Sequence, residues 1–455
     1  MAQKIKSSVK QTMWIIVVLI LLIAIAIIYD KVNKGKIPLP KITYSNTTGS
    51  SSNTNYTTST SVPDGNLILK LGGESVMSES FAPNLIKSYL VKNGYSNVQI
   101  IVNQNDGSKY IVGEKNGKKD KIEILPKKDD ISALNTGQID IYMTSTEVQH
   151  SSYKEYVVGM DAIAIIVNKN SKVQYLSEDD LKDIFTSASM TLYCNTQNSC
   201  TYKTFQEFIM EDKAIHSSHQ KFQSDAEIID AVAKDENGIG IISFSNLTSA
   251  VKVIPVSEER DLPPVIPNKS TIESERYTLS KELYFYINKS SQLAQSLCSY
   301  IETVEGQNVV SQEGFVNLNI SLNDNSENPE AMPNDPPEYT NLIKNYQNIT
   351  TDFRFETGSS ILNSRGLNDI ARLVGYLAEH KGEQVILVGF TDNVGDPASN
   401  IKLSISRANT VKTILTSSGV SVSKVIGLGS ARPIRGNNTE SDKAENRRVE
   451  VWLTK

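Results

Sequence analysis

Apolar side chains are distributed along this chain in three distinct textures. From Met13 to Tyr29 they form one unbroken run, WIIVVLILLIAIAII at its heart, with no charged residue inside. The run is slightly shorter than the ~20 residues a spanning helix usually needs. Lys4, Lys6 and Lys10 precede it without an acid and Asp30 follows, which orients residues 1–12 to the cytoplasm and the remainder outward. A cleaved signal peptide competes with this reading, because Ala24-Ile25-Ala26 offers a small-residue site. Ile27 and Ile28 extend the apolar run past that site, which favours an uncleaved helix over 13–29. Both readings put the bulk of the chain outside the cytoplasm.

The second texture, residues 30–65, is nearly devoid of apolar side chains (TYSNTTGSSSNTNYTTSTSVPDG) and cannot bury enough surface to fold. As a flexible linker of about 36 residues it spans roughly 30–35 Å on average and on the order of 120 Å at full stretch.

The third texture begins at Asn66, where strand-like and helix-like patterns alternate. LILKLGG (67–73) reads as a strand and a glycine turn, followed by a helix presenting Leu85, Ile86, Tyr89 and Leu90. Strands are predicted at 98–102 and 122–125, a helix and buried strand over 131–146, and a strong strand at 162–170. A helix with a Ser cap and an acidic first turn is predicted over 177–185, and a capped helix and strand over 224–247. This alternation predicts an α/β fold with a mostly parallel sheet. A Pro-, Asn- and acid-rich stretch supplies a second linker, 326–345. Beyond it, 346–455 reads as a strand at 349–355, a helix through Leu367, Ile370, Ala371, Val374 and Leu377, and the strand Val385–Val388. A helix with Leu403, Ile405, Ala408, Val411 and Ile414 on its apolar face follows, with strands near 425–429 and 449–453.

Composition narrows the function. The net charge of −5 argues against a nucleic-acid partner. Three cysteines provide no disulfide framework, although Cys194 and Cys200 share one loop and an oxidising compartment permits a bridge between them. The four histidines form no metal-ligand cluster with cysteines or acids, and no nucleophile–base arrangement is visible. The chain reads as a binding protein without cofactor or metal, and not as an enzyme.

The chemistry concentrates in VILVGFTDNVGDPASNIKLSISR (385–407) and the later NRRVE (446–450). A carboxylate at a strand's carboxyl end and a guanidinium on the next helix can face one crevice of an α/β sheet. Such a pair can hold the ammonium and the carboxylate of one zwitterion. Thr391-Asp392, Gly395, Asn400, Leu403-Ser404, Arg407-Ala408 and Asn446–Glu450 resemble the OmpA-like peptidoglycan-binding domain, over roughly 346–453. The resemblance implies that Asp392 and Arg407 hold the diaminopimelate of the peptidoglycan stem peptide, with Asn400, Thr391 and Arg447 in support. Many family members carry His where this chain has Phe390, a change expected to affect packing more than ligand choice.

Residues 66–325 resemble the solute-binding proteins of phosphate importers. The resemblance rests on Leu71-Gly72-Gly73, the Leu-x-x-Gly-x-x-Asp-Ile pattern at Leu134–Ile141, Ala162–Asn168, Ser199-x-Thr201, and Ser224-Asp225 through Gly238–Gly240. It implies two α/β lobes clamping a ligand. The anion-binding loops depart from the family pattern. The first reads Gly73-Glu74-Ser75-Val76, and in the third, YCNTQNSCT (193–201), Asn195 stands at or next to the place of an arginine. Ser75, Ser145, Ser199 and Thr201 are the candidate cleft residues, for phosphate, another small ligand or a protein partner.

The expected fold is thus α/β throughout: a two-lobed periplasmic-binding-protein-like domain plus an α/β OmpA-like sandwich, preceded by one transmembrane helix. The expected location is a bacterial inner membrane, with the bulk of the chain in the periplasm and peptidoglycan as partner. An oxyanion-import receptor and a flagellar-stator-like or other envelope-machine component are the rivals. Stators require an ionisable residue within the membrane helix, and 13–29 has none.

Overall fold

The computed structural model describes residues 56–454 except 80, 127–129, 149–151, 198, 212, 261, 323–334, 363 and 381. The expected membrane helix 13–29 lies outside the described residues, as does the 30–65 linker up to residue 55. Among the described residues no helix is long and apolar enough to cross a membrane. The chain divides into two compact units, one of residues 47–319 and one carrying residues 320–455.

In the first unit, β1 (Tyr56–Ser59), β2 (Asn66–Gly73), α1 (Ser75–Ser78), α2 (Phe81–Lys92), β3 (Ser96–Asn103), β4 (Lys109–Lys115), β5 (Lys118–Leu125), α3 (Ser132–Asn135) and β6 (Ile141–Thr144) build one lobe. The long strand β7 (Tyr153–Val167) leads into a second lobe. That lobe holds β8 (Leu176–Ser177), α4 (Glu178–Ser187), β9 (Thr191–Asn195), α5 (Cys200–Phe205), β10 (Gln220–Phe222), α6 (Asp225–Lys234), β11 (Gly238–Ser243), β12 (Lys252–Val253), β13 (Val256–Ser257) and α7 (Lys269–Glu273). Strand β14 (Ser280–Asn288) returns to the first lobe, followed by α8 (Gln292–Ile301) and α9 (Val304–Gln312).

Two cores explain the lobes. Leu71, Leu85, Ile111, Phe285 and Leu297 close the first; Ile163, Leu181, Phe205 and Ile241 close the second. Strand β7 serves both, with Tyr156 and Val158 in the first core and Met160 onward in the second. It pairs antiparallel with β14 from Tyr153↔Asn288 to Ala162↔Ser280. Helix α4 begins where the sequence indicated. Ser177 accepts the Asp180 N–H at 3.1 Å while the Asp180 carboxylate accepts from the Ser177 backbone, a reciprocal cap.

The sheet is mixed, contrary to the mostly parallel one expected. β2 pairs parallel with β5 and β6, and β9 with β10 and β11. β4 pairs antiparallel with both β3 and β5, and β7 with β11 and β14. The overlooked strand β4 is joined to β5 by Asn116-Gly117, both at positive φ, the two-residue turn that closes a hairpin. Tyr56–Ser59, expected within the linker, pairs with β3. The disulfide expectation fails at Cys194: it lies on β9 as a free thiol, buried in the second core, and burial pushes its pKa up to about 12. The Cys200 side chain lies outside the described residues.

In the second unit, α10 (Pro337–Asn345), β15 (Tyr346–Asn348), β16 (Phe353–Arg354), α11 (Ser364–Glu379), β17 (Val385–Gly389), α12 (Pro397–Ser417), β18 (Val422–Gly427), α13 (Glu440–Asn446) and β19 (Arg448–Thr454) form an α/β sandwich. The strand order is β15-β19-β17-β18, with β16 also on β19. One sheet face packs Leu387, Val449 and Val451 against Ile370, Leu373, Ala408 and Val411 of α11 and α12. The other face is covered by α10, which falls inside the stretch read as linker. Tyr339 and Leu342 of this helix pack on Ile386, Val388, Phe390, Ile426 and Trp452. Pro337 opens the helix at a position where its missing N–H costs nothing, so the Pro-rich composition here marks a helix start.

Candidate functional site

Strand β17 delivers Thr391 and Asp392 past its carboxyl end, and α12 crosses close over it. A β-carbon on Gly389 would lie 2.0 Å from the Ser404 carbonyl oxygen, and one on Gly427 2.3 Å from Ile405 Cγ1. Only glycines allow this approach. Ser404, fully buried, ties helix to loop: its Oγ donates to the Ile401 carbonyl at 2.8 Å and accepts the Gly429 N–H at 3.1 Å.

Arg407 lies on the inner side of α12 and is 0% exposed. Its Nε donates to Ser359 O at 2.9 Å, Nη1 to Phe390 O at 3.1 Å and Nη2 to Glu356 O at 3.2 Å. The guanidinium also lies 5.5 Å from the Phe355 ring centroid. Burial lowers its pKa to about 10; the Asp392 carboxylate opposes that shift and the Arg447 cation adds to it. This side chain is therefore enclosed within the domain and held by backbone carbonyls.

Asp392 is 7% exposed. Its Oδ1 accepts the Val394 N–H at 3.1 Å and its Oδ2 accepts Arg447 Nη1 at 3.0 Å. Arg447 also bonds Phe355 O at 3.1 Å and the Glu440 carboxylate at 2.9 Å. The carboxylate is thus paired with Arg447 and acts electrostatically on the buried Arg407. Thr391 is buried beside it, its backbone N–H on Gly429 O at 2.8 Å, while its Oγ1 has no hydrogen-bond partner among the described residues. Asn400 is also buried, on the first turns of α12, with its Oδ1 3.8 Å from where a β-carbon on Gly395 would stand. Arg407, Asp392 and Arg447 thus form one charge cluster, bordered by Thr391.

The remaining residues of NRRVE have structural tasks. Asn446 Oδ1 accepts the N–H groups of Ile434 and Arg435 at 2.7 and 3.1 Å. Arg448 pairs with Glu450 at 2.7 Å and lies 3.9 Å from the Phe390 ring centroid, so Phe390 packs on the far face under a cation. Glu440 escaped the sequence reading, and Ser404 entered it only as part of the Leu403-Ser404 motif, without a role.

In the first unit, the parallel neighbours β2 and β6 end side by side, Gly73 opposite Met143. Gly73 has φ +144°, and a β-carbon there would lie 2.0 Å from Met143 O. Beyond it the Glu74 carboxylate accepts Thr144 Oγ1 at 2.7 Å and Ser145 Oγ at 2.8 Å. Ser75 is exposed at the start of α1. In the second lobe Ser199 caps α5, its Oγ accepting the Tyr202 N–H at 3.1 Å, and Thr201 is buried in the first turn. Asn195 Nδ2 donates to Asp225 Oδ1 at 2.6 Å, and Asp225 Oδ2 accepts the Ser243 N–H and Asn246 Nδ2, both at 2.9 Å. Among the described residues no group of three His, Cys, Asp or Glu could hold a metal ion.

Residues 354–447 match the OmpA family and residues 126–303 a PBP superfamily domain. The protein joins an OmpA-family domain to a PBP-superfamily domain. The OmpA-family part is 44% identical over 107 residues to outer membrane protein A of Bordetella avium, which covers 23% of this chain and 55% of that one. It is 36% identical over 100 residues to the peptidoglycan-associated lipoprotein of Legionella pneumophila, 22% of this chain and 57% of that one. The PBP-superfamily part is 27% identical over 188 residues to the phosphate-binding protein PstS of Staphylococcus saprophyticus, 36% of this chain and 58% of that one. The chain spans little more than half the length of these curated relatives. All the residues of the Asp392 cluster fall within the OmpA-family match.

Proposed function

We propose that the OmpA-family domain binds peptidoglycan non-covalently, through the diaminopimelate of the stem peptide. Asp392 takes the ammonium and Arg407 the carboxylate, with Thr391, Asn400 and Arg447 lining the site. The observation carrying this reading is the Asp392 carboxylate bonded to Arg447 and acting electrostatically on the buried Arg407, near a Thr391 hydroxyl that has no partner among the described residues. Three of the five N–H donors of Arg407 point at carbonyls, which leaves two for a ligand carboxylate. The name of the Legionella relative, a peptidoglycan-associated lipoprotein, supports the same partner.

The protein acts by binding and not by catalysis. The 13–29 run anchors it in the inner membrane as a single-pass protein, and the linker lets the periplasmic part reach the wall. The PBP-superfamily domain is displayed there with an eroded anion site, with Asn195 at or next to the place of the missing arginine and its Nδ2 bonded to Asp225. The test is co-sedimentation of the full chain with isolated sacculi. Wild type binds sacculi carrying diaminopimelate and binds poorly those carrying lysine in its place. An Asp392→Asn variant that is folded by circular dichroism yet binds like wild type removes this assignment.

A second reading, an oxyanion-import receptor, draws on the likeness to PstS. Calorimetric titration of the full chain with phosphate separates the two. Micromolar or tighter binding favours the import receptor.

A further inference from the structure

The hydroxyl pair at the end of β6 has an internal partner. Thr144 and Ser145 stand where two parallel strands finish side by side, the edge at which open α/β sheets hold ligands. Each hydroxyl donates to a different oxygen of Glu74, at 2.7 and 2.8 Å. Two anionic oxygens accepting two hydroxyl protons is also what an inorganic oxyanion would present to the same pair.

Backbone geometry fixes this arrangement. Gly73 permits the two loops to touch, since any β-carbon there would collide with Met143 O. The Glu74 N–H then donates to that same carbonyl at 2.9 Å. The Glu74 side chain therefore starts one residue from the contact, next to the hydroxyls, and its carboxylate needs no long excursion to reach them. Thr144 is 2% exposed and its Oγ1 also accepts the Thr146 N–H at 3.0 Å, so its hydroxyl proton is directed at Glu74.

We propose that Glu74 is a tethered anion filling the oxyanion cradle of the first lobe, and that it determines the ligand class of the PBP-superfamily domain by keeping free oxyanions out. A second anion would have to take the same two donors and approach a like charge in a partly buried site, which disfavours it twice. This deepens the eroded-site reading and rests on it: beyond the loss of an arginine, the site is closed by its own carboxylate.

The experiment titrates the full chain with inorganic phosphate by calorimetry, as wild type, Glu74→Ser and Glu74→Gln. Thermal melting with and without phosphate runs alongside. Wild type gives no binding heat and no phosphate-dependent rise in melting temperature. Glu74→Ser gains at least roughly tenfold in phosphate affinity and is stabilised by phosphate. Glu74→Gln, nearly the same shape without the charge, gains less and reports on the charge alone should the serine variant fold poorly. If folded variants remain as indifferent to phosphate as wild type, the tethered-anion proposal falls while the eroded-site reading stands. If wild type itself binds phosphate at micromolar concentration, both fall.

Discussion

The two domains dispose of their polar side chains in opposite ways. At the OmpA-family site the charges are set by the fold: carbonyls of Glu356, Ser359 and Phe390 position Arg407, and Arg447 positions Asp392. The Thr391 hydroxyl has no partner among the described residues. In the PBP-superfamily domain donors are used within the chain, Thr144 and Ser145 on Glu74 and Asn195 Nδ2 on Asp225, although Asn195 Oδ1 has no partner among the described residues. Resemblance to a binding family therefore does not by itself imply an available site. What matters is whether the donors and acceptors are held in place by the backbone or used up by one another.

The strongest way to break this comparison is to remove Arg407. Arg407→Ala leaves the buried Phe390 carbonyl without its donor, at about 1–3 kcal/mol, frees the part-buried carbonyls of Ser359 and Glu356, and opens a cavity beneath α12. The expected result is loss of sacculus binding together with a marked fall in the melting temperature of the carboxy-terminal domain, followed by calorimetry. An unchanged melting temperature would show that the carbonyl contacts contribute little. Asp392→Asn keeps the shape and removes one charge, so co-sedimentation weakens roughly ten- to a hundredfold, or about 1.4–2.7 kcal/mol, and melting falls as well because the buried Arg447 loses its carboxylate partner. Arg407→Lys combined with Asp392→Asn should lose less than the sum of the two single variants, as for residues that share a ligand. Strict additivity in a double-mutant cycle would argue against a common ligand.

Two smaller effects sharpen the contrast between site and scaffold. Tyr339 on α10 donates to the buried Glu450 carboxylate at 2.8 Å. Tyr339→Phe should lower stability by about 1 kcal/mol in denaturant unfolding while leaving sacculus binding unchanged; altered binding would tie the back face to the site. Last, Cys194 should resist alkylation in the native protein at pH 8, because burial pushes its thiol up to about 12 and only the thiolate reacts. Prompt labelling before unfolding would contradict its place in the second core.

Much of this was legible in the residues, and the exceptions have physical reasons. Ser177 and Ser224 announce their helices because a side-chain cap is a local interaction. The sheet's mixed character was missed through β4, although Asn116-Gly117 carried the hairpin signal between two lysine-rich flanks. On α12 the apolar pattern misled. Ile405 was assigned to the buried face and is 38% exposed, while Asn400, Ser404 and Arg407 are buried. A helix that forms a polar site turns polar residues inward, so hydrophobic periodicity points to the wrong face there. The hydrogen bond from Thr144 to Glu74 spans 70 residues, which no local pattern encodes.

The helix α10 also bears on mechanics. Tyr339 meets Phe390 and Trp452 edge-on and reaches Glu450 on β19. Arg432 stacks on its ring and pairs with Asp335 just before the helix. In a molecule held at the wall by this domain and pulled through its amino-terminal connection, force first meets residues 320–322, where Ile320 packs into the core, Leu322 bridges Ile349 and the Ser321 carbonyl accepts the Thr350 N–H, and only then reaches this helix. Peeling α10 away has to break a buried hydrogen bond and uncover an aromatic cluster before strain reaches β17 and the loop behind it. If the domain binds the wall as proposed, detachment from it and unravelling of this face are separate events with separate thresholds.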